Sequence, residues 1–268
     1  MHKFLIRAAS GLVYAAVIIA AILCGGWAVW ALAIAFAVIG VCEIDNMAVG
    51  FSKKNLPLFI IDILGVLSLF ATAVCGYAIL LWIVLDIVKI LLNRNNMRRN
   101  PAARSYPSFS QIYVAVPMAL MAASPIVRLP LLIFILLWLN DSGAYIVGSL
   151  TGRHKLCPSV SPNKTWEGFV GGVVIAMAGA WVMAEWYADF FGMEGLSLIQ
   201  WMIIAFSTCI FGTLGDLLES KIKRHYEVKD SGHWIPGHGG ILDRIDSFLV
   251  AFPIAFLLIL MFRSLNNA

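Results

Sequence analysis

The sequence predicts an all-α, polytopic integral membrane protein with about nine transmembrane helices. Three observations lead there. Of the 268 residues, 61% are hydrophobic and only 13% charged, about half the charge of an average soluble domain, and the mean hydropathy is +0.88. Apolar windows recur along the whole chain, each near the roughly 20 residues that a helix needs to cross a hydrocarbon core. Lipid offers no partner to an unpaired backbone group, so such windows are read as helices.

The windows are 4–24, 27–48, 57–74, 76–93, 108–124, 129–150, 166–188, 197–218 and 243–263. The first follows a basic start, "MHKFLIRAASGLVYAAVIIAAILCGG", that imitates a signal peptide. Leu23 stands before Cys24 where a lipoprotein site wants a small residue, so the window is read as an uncleaved span. The third and fourth windows share one apolar stretch broken only at Cys75-Gly76. The five cysteines (Cys24, Cys42, Cys75, Cys157 and Cys209) show no paired metal-ligand spacing and read as small hydrophobes.

The basic residues orient the windows, because Lys and Arg accumulate on the cytoplasmic side of short loops. With a cytoplasmic N-terminus, strict alternation places all Lys and Arg inside except Arg128 and Arg263. The C-terminus is then outside. A cluster such as "NRNNMRRNPAAR" (93–104) is accordingly topological, with attraction to anionic lipid as an addition. Residues 1–105 read as plain N-terminal transmembrane helices and 106–268 as a catalytic half with polar residues inside its helices, within a single membrane domain.

Ionisable groups inside spans are costly and mark candidate sites. Four polar stretches stand out: "NDSGAY" (140–145), "SPNKTWEGFVGG" (161–172), "GDLLESKIKR" (215–224) and "SKIKRHYEVKDSGHWIPGHGGILDRID" (220–246). Alternation brings Asp141, Lys164, Asp216 and Asp243 to the cytoplasmic face. Asp216, Ser220 and Arg224 recur every four residues and share one helix face, and Asp243 and Asp246 share another. Carboxylates with a hydroxyl beside them suit a hard cation such as Mg²⁺, which keeps positions open for substrate phosphates. In the plainer reading, Asp216 and Asp243 pair with Arg244, Arg224 or Lys221. Gly237, Gly239 and Gly240 form a turn ahead of a helix start whose N–H groups suit an anion. Glu167 sits where a carboxylate complements a helix N-terminus, and the Gly148/Gly152 and Gly168/Gly172 pairs read as close helix packing. Metal, base and glycine turn at one membrane face point to phosphoryl or nucleotidyl transfer onto a lipid.

Residues 220–246 also resemble the signature of the phosphatidate cytidylyltransferases (CDP-diacylglycerol synthases). Ser220, Ile222, Lys223-Arg224, Lys229-Asp230, Gly232, Ile235-Pro236, His238-Gly239-Gly240, Ile241, Asp243-Arg244 and Asp246 fill every position of that pattern. "SPNKTWEGFVGG" and "DSGAY" look like the family's other two motifs, whereas the first 105 residues match only in being hydrophobic. The resemblance implies that CTP and phosphatidic acid give CDP-diacylglycerol and pyrophosphate, with Mg²⁺ and a second, monovalent cation (K⁺). It implies Asp216, Asp243 and Asp246 as cation ligands with Ser220 in support, and Lys164, Arg224, Lys229, His238 and Arg244 meeting phosphates. Asp141, Gly239 and Gly240 complete the expected substrate-binding set. Asn163 departs from the pattern, standing where many relatives carry a second basic residue. The expected partners are the two substrates and membrane lipid, in a homodimer, with no nucleic acid, at the inner membrane. A CTP-dependent polyprenol or lipid kinase is the nearest rival and would release CDP. A transporter is the rival from another class, but it would spread its acids across membrane depth, often in inverted repeats.

Overall fold

A computed structural model describes residues 2–52, 55–72, 75–99, 109–235 and 239–267, with side chains throughout except at 2–8 and 93–99. His238, with Pro236, Gly237, Lys53, Lys54 and Arg104, lies outside the described residues. Each expected window overlaps a helix among the described residues. The helices are α1 (His2–Cys24), α2 (Trp27–Val49), α3 (Leu56–Ala71), α4 (Ala78–Arg99), α5 (Val116–Ala123), α6 (Leu129–Thr151), α7 (Trp166–Trp186), α8 (Leu198–His225) and α9 (Leu242–Asn266). Five of them, α2, α6, α7, α8 and α9, are long and apolar enough to cross a membrane, and Ala9–Cys24, Leu56–Ala71 and Gln111–Ala123 are shorter apolar stretches.

One element departs from the all-helical expectation. Strands β1 (Lys155–Cys157) and β2 (Ser161–Thr165) pair antiparallel, Lys155 opposite Thr165 and Cys157 opposite Ser161. Pro158 and Pro162 supply no N–H and disfavour helix, so the backbone between α6 and α7 pairs with itself. A π-turn at Gln111–Ala115 leads into α5, where Val116 N–H reaches back to Gln111 O. Pro117 follows directly, and its ring would crowd the carbonyl four residues back in a regular helix.

The chain divides into two compact units. The first comprises Met1–Ala123 with Ile222–Ile245. Its core includes Ile18, Ala33, Val41, Ile44, Val66 and Val114, all fully buried. Helices read from the sequence as plain spans carry ionisable side chains in this unit. Lys89 on α4 is buried, with Nζ 3.1 Å from Asp45 Oδ2 on α2 and 2.6 Å from Asp62 Oδ1 on α3. Gln111 Nε2 donates to Asp62 Oδ1 at 2.9 Å, and Trp82 Nε1 donates to Gln111 Oε1 at 2.6 Å. The charges are tolerated there because they are paired and hydrogen-bonded.

The second unit comprises Ser124–Lys221 with Asp246–Ala268. Its centre is the α6–α7 pair, which meets along glycines as the small-residue pairs predict. A Cβ on Gly143 would lie 3.0 Å from the Gly172 Cα, and one on Gly148 would lie 3.4 Å from the Gly168 Cα. Phe134 of α6 stacks on Phe248 of α9 with centroids 4.2 Å apart, and Phe252 continues the stack. At one end, Arg128 Nη1 donates to Phe190 O at 2.8 Å, Arg263 Nη2 donates to Gly192 O, and Asn266 Nδ2 donates to Gly195 O at 2.8 Å. The two bases set apart by the charge alternation thus share one end of this unit.

Candidate active site

At the opposite end of the second unit, α6, β2, α7 and α8 enclose a cavity of about 480 Å³. Thr165 closes β2 and opens α7, its hydroxyl accepting the Gly168 N–H at 3.2 Å as an N-cap. That cap fixes the chain direction at Lys164, one residue earlier. Lys164 Nζ reaches Asp216 Oδ2 on α8 at 2.5 Å, both side chains being about 30% exposed. One turn later on α8, the Ser220 hydroxyl donates to Asp216 Oδ1 at 3.3 Å, as the four-residue spacing predicts. Asp141, exposed on α6, lines the same cavity, together with Asn140, Asn163 and Thr213.

Asp246 joins this group through a glycine. A Cβ on Gly215 would lie 2.5 Å from the Asp246 carbonyl and 3.1 Å from Ser247 Cα, so α8 and α9 approach backbone to backbone beside Asp216. Asp246 consequently lies within electrostatic reach of Asp216, Asp141 and Lys164, and its Oδ1 accepts the Ser247 amide at 2.7 Å. The donor set is all oxygen, the chemistry a hard cation prefers. Among the described residues no three His, Cys, Asp or Glu side chains form a ready cage.

The expected residues of the first unit have other partners. Asp243 Oδ1 accepts Lys223 Nζ at 2.7 Å, while Oδ2 accepts the amides of Ser231 at 3.0 Å and Gly240 at 2.8 Å. Pairing therefore occurs at both Asp216 and Asp243, with Lys164 and Lys223. Gly239 takes φ +83°, a conformation that glycine adopts without strain. Among the described residues, the N–H groups of Gly240, Ile241 and Leu242 are taken by the chain's own carboxylates. Besides Asp243, the buried Glu43 of α2 accepts Ile241 N–H at 3.0 Å, Leu242 N–H at 2.9 Å and the Ser231 hydroxyl at 2.8 Å. Gly232 and Gly240 make room for it, since a Cβ on Gly232 would lie 2.5 Å from Glu43 Oε1 and one on Gly240 would collide with Ser231 Oγ. Arg224, Lys229 and Arg244 are exposed, and the Arg244 carbonyl accepts the Tyr14 hydroxyl at 3.0 Å.

Sequence reasoning passed over Glu43 and Asn140. A lone carboxylate inside an apolar window was the signal for Glu43. Asn140 precedes Asp141 in a stretch already singled out, and its buried Oδ1 has no hydrogen-bond partner among the described residues. Glu167 stands in the first turn of α7, as its position suggested, and also reaches outside the helix. It accepts the amides of Arg153 and His154 at 3.2 Å and contacts His154 Nδ1 at 2.5 Å, tying the hairpin to α7 while Thr165 caps the helix.

The model of the cytidylyltransferase family matches residues 5–262. The chain is 48% identical over 128 residues to a Bacillus subtilis protein named phosphatidate cytidylyltransferase, covering 48% of this chain and 46% of that protein. It is 50% identical over 127 residues to a protein of the same name from Staphylococcus saprophyticus, covering 47% of each. The chain thus spans about half the length of the curated relatives it matches.

Proposed function

Because the chain belongs to the cytidylyltransferase family, we propose that it transfers CMP from CTP to phosphatidate at a membrane surface, giving CDP-diacylglycerol and pyrophosphate. The single observation that carries this reading is the cavity where Lys164 meets Asp216, with Ser220 and Asp246 beside them. It combines a cation for phosphate with carboxylates for a metal, and the relatives' name supplies the substrates.

In this mechanism a phosphatidate phosphate oxygen attacks the α-phosphorus of CTP in line, the new P–O bond forming as the bond to the β-phosphate oxygen breaks, and pyrophosphate leaves with that electron pair. The attacking oxygen is already anionic, so no strong general base is needed. Catalysis rests on alignment and on neutralising two anions. Lys164 supplies a compact positive charge, exchanging Asp216 for phosphate when the polyphosphate enters. Ser220 orients the Asp216 carboxylate through its hydroxyl. Asp216 and Asp246 would hold Mg²⁺, which would supply positive charge to the bound phosphates; a second, monovalent cation belongs to the same proposal. Asp243 orders the loop before α9 through Lys223 and two amides, and the resemblance of residues 220–246 alone assigns Arg224, Lys229 and Arg244 to phosphates.

The reading extends to nine spans in the inner membrane, a cytoplasmic N-terminus and an external C-terminus, supported by the basic-residue alternation. A reporter fused after Ala268 is expected to be active only outside, and cytoplasmic activity there refutes the count. Homodimeric assembly is part of the proposal and is tested by the protein mass in a lipid nanodisc. The chemistry is tested with purified protein, α-labelled CTP and phosphatidate. Label in an organic-soluble liponucleotide with release of pyrophosphate supports it; label in CDP assigns a lipid kinase instead.

A further inference from the structure

The glycine seam between α6 and α7 has two sides. The reaction cavity uses one, where Asp141, Ala144 and Gly148 face Thr165, Gly168 and Phe169. Helical phase turns Trp166, Glu167, Val170 and Gly171 of α7 the other way, and with Val147 of α6 and the start of the hairpin they bound a second groove of about 1040 Å³. Its floor is apolar, and the exposed Leu150 and Val174 extend that surface along two helices fit to cross a membrane. Gly171 lets Val147 pack directly onto α7 at that floor, since a Cβ there would collide with Val147.

The groove's polar end carries Arg153 and Lys155, both exposed. Glu167 is the one acid lining the groove, and its oxygens are engaged by the Arg153 and His154 amides and by His154 Nδ1. Among the described residues no carboxylate pairs with the Arg153 guanidinium or the Lys155 ammonium. Two cations with no ion-pair partner among the described residues, against a single acid, therefore stand over an apolar trough, with Trp166 exposed at the helix start, where aromatic rings favour the membrane interface. This is the complement of one phosphodiester with acyl chains beneath it, and basic pockets between membrane helices are known to take such headgroups.

We propose that the groove binds an anionic diacyl phospholipid of the surrounding bilayer, its phosphodiester against Arg153 and Lys155 and an acyl chain along Val147, Val170 and Val174, separate from the reaction cavity. Each surface cation favours an anionic over a zwitterionic lipid by about fivefold, so the pair gives roughly 25-fold at most. The test places the full chain in phosphatidylcholine nanodiscs with a trace of phosphatidylglycerol bearing an acyl-chain diazirine, or the matching phosphatidylcholine probe, and maps the cross-links by peptide mass. The anionic probe is expected to label 147–151 and 170–174 at least fivefold more than the zwitterionic one. Arg153→Gln with Lys155→Gln abolishes that preference, and Lys164→Ala leaves it intact. Equal labelling by both probes overturns the proposal, as does a preference that survives the double substitution or a chain-to-chain cross-link covering the groove. No turnover enters the measurement, so its failure is distinguishable from failure of the cytidylyltransferase reading.

Discussion

Replacing Glu43 with Ala probes how the loop ahead of α9 is held. The carboxylate is 3% exposed and accepts two backbone amides and one hydroxyl at 2.8 to 3.0 Å. Ile241 and Leu242 are themselves buried, so truncation leaves their N–H groups without partner or water. An unsatisfied buried donor costs about 1–3 kcal/mol, and two such donors cost on the order of 3–5 kcal/mol after partial relaxation. Local opening of the loop should therefore become about 10²- to 4 × 10³-fold more frequent. Amide hydrogen exchange at Ile241 and Leu242 in nanodiscs reads this directly, with the α6 amides as an internal reference. Glu43→Gln keeps the shape but turns an NH₂ towards at least one donor, so its exchange should fall between wild type and Ala. If Glu43→Ala changes exchange at these two amides by less than tenfold, the carboxylate is not what holds the loop.

Asp216→Asn and Asp246→Asn should each reduce turnover at least about 10³-fold if metal binding supplies several kcal/mol, with folding in detergent retained; activity within tenfold of wild type at saturating Mg²⁺ refutes the assignment. Lys164→Ala and Lys164→Arg should both insert normally and lose most activity, because Arg is planar and longer than the point charge it replaces. Retention of more than half the turnover by Lys164→Arg, a loss under about 0.4 kcal/mol, returns that lysine to a topological role. Lys89→Met strands Asp45 and Asp62 without their cation and should cost about 3–5 kcal/mol, read as lowered thermal stability in detergent; adding Asp62→Asn should recover part of it, and an unchanged transition contradicts the buried cluster.

The helical segments were legible because hydropathy sampled at span length measures the property lipid selects, and all nine windows overlap helices among the described residues. The hairpin was not, since residues 155–165 show neither an apolar period nor a hydrophobic alternation, and Pro158 and Pro162 argue only against helix. The Lys89–Asp45–Asp62 cluster was hidden for another reason. Its members sit singly in three apolar helices, and window averages dilute each one until the fold brings them within 3.1 Å. Within the site, contacts internal to one helix were readable: Ser220 meets Asp216 as a four-residue spacing requires. Lys164 was readable as a charge near a span end but not as the partner of Asp216, because that contact depends on the Thr165 cap and the hairpin.

Asp243 and Asp246 mark the limit of spacing as evidence. Three residues apart on a helix, their Cβ atoms lie about 5–6 Å apart, and the sequence grouped them as joint cation ligands. Their surroundings separate them. Asp243 already accepts an ammonium and two amides, so an ion bound there would compete with the Lys223 ammonium for the same carboxylate. Asp246 accepts the neighbouring Ser247 amide and lies within reach of Asp216. Asp243→Asn removes the charge that holds Lys223 and sets an NH₂ against the two amide donors, so amide exchange at Ser231 and Gly240 should rise at least tenfold, a loss of about 1.4 kcal/mol, with or without Mg²⁺. Asp246→Asn should leave that exchange unchanged while altering the Mg²⁺ dependence of turnover. If instead Mg²⁺ alone slows exchange at Ser231 and Gly240 in the wild type and Asp243→Asn removes that effect, Asp243 is a metal ligand after all and its role as the loop's anchor is wrong.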